Sequence, residues 1–161
     1  MTYLMKRGRL YGDDRQTELA VIRSELSGRR KQVETGGRLY TADVLPDGYR
    51  LEDENRQPVM QGKPGYAAGE DPAQFGWPLC CTPRCDHVCL RMEGREWLLE
   101  QLNCQNYRLL DSEGAPVLAV IHRGLTGGWD LETQRGFEPW MLCGIFLFCL
   151  YLDRENEFAA V

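Results

Sequence analysis

The densest group of reactive side chains is Cys80-Cys81-Thr82-Pro83-Arg84-Cys85-Asp86-His87-Val88-Cys89. Thiolate and imidazole are the ligands zinc prefers, and a closed tetrahedral site needs four of them. On an extended strand, Cys85, His87 and Cys89 would share one face, and Cys81 could fold back as the fourth ligand. The spacing argues against this. It is C-x3-C-x3-C with no C-x2-C knuckle, and alternate strand residues stand ~6–7 Å apart, too far for one small ion unless the backbone bends. The reading is therefore ordinary thiols and no metal, with Cys81, Cys85, His87 and Cys89 as the candidate set should a metal or a thiol-dependent activity exist. Cys143 and Cys149 lie in an apolar run and read as core.

Catalytic signals are absent. There are two histidines, and His122 follows an apolar stretch, Val117–Ile121, as a strand-edge residue would. No G-x-S-x-G, H-E-x-x-H, phosphate-loop or dinucleotide fingerprint occurs. A Cys–His nucleophile drawn from residues 80–89 lacks an orienting third group. The sequence thus indicates a non-enzymatic protein with no catalytic residues and no cofactor. The remaining binding candidate is the basic triplet Arg29-Arg30-Lys31, which could contact an anionic ligand. The plainer reading of the triplet is a solvated turn.

Charge narrows the partners. The 161 residues carry a net charge of −5, spread unevenly. Residues 1–40 hold nine Lys/Arg against five Asp/Glu, so the rest of the chain is strongly acidic. That balance excludes a general nucleic-acid binder and leaves a protein or an anionic lipid surface as candidate partner. The first residues show no secretory pattern, and seven cysteines is an odd number. Together these predict reduced thiols in the cytoplasm.

The elements that must position these residues are mostly strands. Tyr49–Met60 reads against Tyr107–Leu118 at an offset of 58 without a gap, with six of twelve positions identical. Gly36 and Gly94 match at the same offset, and Gly76-Trp77 resembles Gly128-Trp129 nearby. Duplication of a β-unit, about 36–80 and 94–132, accounts for this better than chance. Each copy reads as a strand, an Asp-led turn and a return strand beginning at Pro. In the first copy Asn55 is the residue expected at positive φ. Further strands are predicted at 3–6, 18–23, 31–34, 39–44, 87–92, 97–102 and 128–133, short and closely spaced as in a sandwich or barrel. Residues 17–26 are ambiguous between strand and helix. Residues 62–83, rich in Gly and Pro, are expected to form a long irregular loop.

One helix is predicted, at 139–153. Pro139 suits the first helical position, and Glu138 and Arg154 complement the helix dipole. Met141–Leu152 is apolar apart from Gly144. About 13 residues at ~1.5 Å each reach roughly 20 Å, short of the ~30 Å of bilayer hydrocarbon. No transmembrane segment is expected. A helix apolar on every side must instead be buried all round within protein. Gly144 is a poor helix former, explicable if another element approaches closely there.

A repeated β-unit followed by one wholly apolar helix ending at an aspartate resembles the tubby C-terminal-like superfamily, closest to its LURP-one-related and scramblase-like branch. The residues carrying the likeness are Tyr107–Gly114, Val117–Arg123, Trp129–Glu132 and Met141–Asp153, and it covers roughly residues 35–155. The resemblance implies a closed antiparallel barrel of about twelve strands around a central hydrophobic C-terminal helix, formed by residues 1–161 as a single domain. It also implies a binding or scaffold role, since that superfamily includes phosphoinositide binders and lipid scramblases. No basic pocket matching their phosphoinositide site is found. The physics agrees with the fold, because a closed barrel has no free edge and its interior must be filled.

Overall fold

The computed structural model describes residues 1–25, 28–67, 84–103 and 105–157. It contains twelve strands: β1 (Thr2–Lys6), β2 (Arg9–Tyr11), β3 (Glu18–Ser24), β4 (Lys31–Thr35), β5 (Arg38–Leu45), β6 (Gly48–Glu52), β7 (Pro58–Tyr66), β8 (Cys85–Met92), β9 (Arg95–Gln101), β10 (Tyr107–Leu110), β11 (Pro116–His122) and β12 (Trp129–Thr133). Each pairs antiparallel with its neighbours in sequence. The circle closes where β1 meets β12, from Thr2 opposite Glu132 to Met5 opposite Trp129. Helix α1 (Pro139–Glu157) follows and runs through the barrel.

The wall is built by alternation. On β8, Val88, Leu90 and Met92 point inward and are buried, while Cys89 and Arg91 face solvent. The inner face continues through Leu51, Met60, Leu99, Leu109 and Leu131, each fully buried. Eight strands leave room for side chains alone, whereas twelve enclose enough width for a helix ~10–12 Å across. The helix is buried on every face: Leu142, Cys143, Ile145, Phe148 and Leu152 are all inaccessible. Its backbone lies nearest β3 to β8. Small residues on that side, Ala20, Ala42 and Gly62, permit the approach. On the other side Trp129 from β12 reaches Phe146 edge-on at 5.1 Å.

Glycine serves this packing at two points. A Cβ on Gly62 would stand 2.7 Å from Val88 and 2.9 Å from the Phe148 ring. One on Gly144 would stand 2.9 Å from Met60 and 3.0 Å from Leu51, so the wall does crowd the helix there. Pro139 opens the helix as expected, with the Met141 and Leu142 amides donating to the Glu138 carbonyl.

Several boundaries differ from the sequence reading. Residues 18–24 are a strand. β2 was not anticipated; three residues are too few for a periodic pattern. Residues 62–66 do not start the irregular loop but extend β7, held by pairing with β8. The helix continues one turn beyond Asp153, because Asn156 finds partners there. The hairpins β6–β7 and β10–β11 share one turn: the Asp53 carboxylate accepts the amides of Asn55 and Gln57, and that of Asp111 accepts those of Glu113 and Ala115. The positive φ falls on Arg56 at 59°, where the second hairpin has Gly114, and not on Asn55.

A candidate binding rim at the end of the helix

The two ends of the barrel differ in construction. The end where the helix begins, the N-rim, is closed by compact turns such as 36–37, 53–57, 93–94 and 111–115. Carboxylates dominate it, including Asp13, Asp14, Asp53, Glu54, Glu93 and Asp111. Asp14 and Asp111 are held below the usual carboxylate range, the first chiefly by the Thr17 hydroxyl and the second chiefly by the Ala115 amide. These acids are structural, spending their lone pairs on the turns themselves.

The opposite end, the C-rim, surrounds the last helical turn. Among the binding candidates read from the sequence, Arg29, Arg30, Lys31, Cys85 and His87 lie on or beside it. The described rim segments carry Arg7, Arg29, Arg30, Arg84, Arg123 and Arg154, against the acidic residues Glu25, Asp47, Asp153, Glu155 and Glu157. Loops on a rigid scaffold are where binding residues concentrate.

The basic triplet does not act as a unit. Arg30 is spent on Asp43, with both Nε and Nη2 within 3.2 Å of its carboxylate. Arg29 and Lys31 remain. The Arg29 carbonyl accepts the Tyr151 hydroxyl at 3.0 Å, which fixes the turn against the helix and leaves the guanidinium exposed. The Lys31 ammonium donates to Ser24 Oγ at 2.7 Å. Burial, and then the charge of Arg154, push its pKa below the ordinary lysine value. Lys31 and Arg154 thus bring like charges together where β4 meets the helix end, with Arg29 exposed on the adjoining turn.

The cysteine group is divided by a β-bulge. Tyr66 pairs with Cys85 and Gly65 with His87, which leaves Asp86 unmatched. The extra residue reverses the alternation. Cys85 therefore turns inward and is buried, whereas His87 and Cys89 face outward, so the expected shared face of Cys85, His87 and Cys89 does not form. His87 Nδ1 lies 2.6 Å from Asp86 Oδ1, and its ring covers Gly65. Cys81, Trp77 and Cys104 lie outside the described residues. Among the described residues no group of three His, Cys, Asp or Glu side chains could hold a metal ion.

Inside the C-rim, Asn156 forms the junction between helix and wall. Its Oδ1 accepts the Cys85 amide at 3.0 Å, and its Nδ2 donates to the Cys85 carbonyl at 2.7 Å. Cys85, next to the bulge, thereby has both of its backbone groups bonded. Beside it the Tyr49 hydroxyl donates to Glu155 at 3.2 Å. Desolvation, then Glu155 and Asp86, push the Cys85 thiol up to about 11; burial raises Cys143 to about 12. Such thiols stay protonated and unreactive at neutral pH. His122 also faces this rim: its ring meets Trp129 at 4.8 Å, and Nδ1 accepts the Gly124 amide.

Sequence reasoning missed Glu155 and Asn156, which follow the apolar run and carry no pattern of their own. It also missed Leu102 and Leu125, the most exposed large apolar side chains on this rim. The Leu125 signal was present as an isolated leucine in Arg123-Gly124-Leu125-Thr126-Gly127-Gly128. Among the described residues no helix is long and apolar enough to cross a membrane. No protein-family model, curated protein or solved structure matches this chain.

Proposed function

We propose that this protein is a non-enzymatic, tubby-like binding or scaffold domain that works in the cytoplasm at anionic membrane lipid. Two things support the reading. The closed twelve-stranded barrel around a buried C-terminal helix is the architecture the sequence resemblance implies. The observation that carries the binding role is the exposure of Arg29 and Arg154 at the C-rim beside the half-buried Lys31, whose pKa is lowered by burial and then by Arg154. No ion pair neutralises these three among the described residues. Surface cations normally pair or spread apart; like charges gathered on a rim favour an anionic ligand.

Flotation of the intact protein tests this. Binding to phosphatidylserine-containing vesicles is expected, with little to pure phosphatidylcholine and a steep loss as salt rises. Charge reversal by Arg29→Glu with Arg154→Glu is expected to lower binding at least tenfold while leaving the melting temperature within a few degrees, since exposed substitutions change stability by only about 0.5 kcal/mol. Absence of binding to anionic vesicles at low salt would remove the lipid reading.

A further inference from the structure

We draw no further inference here: the strongest candidate, the outer-wall groove across β8 to β10 lined by Cys89, Leu98 and Leu110, is an unpartnered apolar face, and nothing in the structure shows what covers it.

Discussion

Single side chains at the C-rim show how backbone detail decides chemistry. One unmatched residue, Asp86, sends Cys85 into the core and His87 to the surface. The two cannot then share an ion, whatever their spacing in the chain. Burial also gives the thiols a role in alkaline stability. Cys85 and Cys143 have folded pKa values of about 11 and about 12, above the ordinary thiol value. Desolvation also raises the Tyr49 and Tyr151 phenols. In the unfolded chain these groups release protons at lower pH than in the fold, so the unfolded state binds fewer protons and stability falls as pH rises. The stabilisation is complete below about pH 8.5, the unfolded thiol range, and is lost as pH climbs toward 11. Urea unfolding should therefore give a lower free energy at pH 10.5 than at pH 8, with a shallower slope in Cys143→Ala. A flat profile across that interval would contradict the buried-thiol account.

At the level of elements, the last helical turn is a clamp rather than a fraying end. Asn156 satisfies both backbone groups of Cys85, and Glu155 receives Tyr49, so the helix grips β8 and β6 where it emerges. Asn156→Ala leaves a buried amide and carbonyl without partners, a loss of about 1–3 kcal/mol. The expected readout is a lower denaturant midpoint with unchanged slope, together with faster hydrogen exchange at the Cys85 amide. Exchange equal to wild type would mean that another group replaces the clamp. None of this was legible beforehand, because the helix was expected to end with its apolar run at Asp153. A capping side chain is recognised by its partner, and the partner here is distant by 71 residues. The strands were more legible. Tyr107–Leu110 was placed at its observed bounds, since an Asp-led turn and a following Pro delimit it locally.

For the whole molecule, the helix is the core. Its large side chains meet the inward residues of the wall to fill the cylinder, and each contributes about 1.5–3 kcal/mol against a net domain stability of about 5–15 kcal/mol. A chain ending at residue 137 should fail to give a cooperative thermal transition and should expose apolar surface, as read by dye binding. A soluble 1–137 fragment that melts cooperatively would refute the plug.

The amino-acid sequence alone determined the class of fold. Period-two strands, Asp-led turns and a helix apolar on every side are local signals, and burial leaves few ways to satisfy them together. Closure of β1 on β12, the bulge at Asp86 and the Asn156 clamp on Cys85 were decided only in three dimensions. Each depends on residues far apart along the chain, and the free energy that brings such residues together comes from filling the barrel, not from any segment by itself.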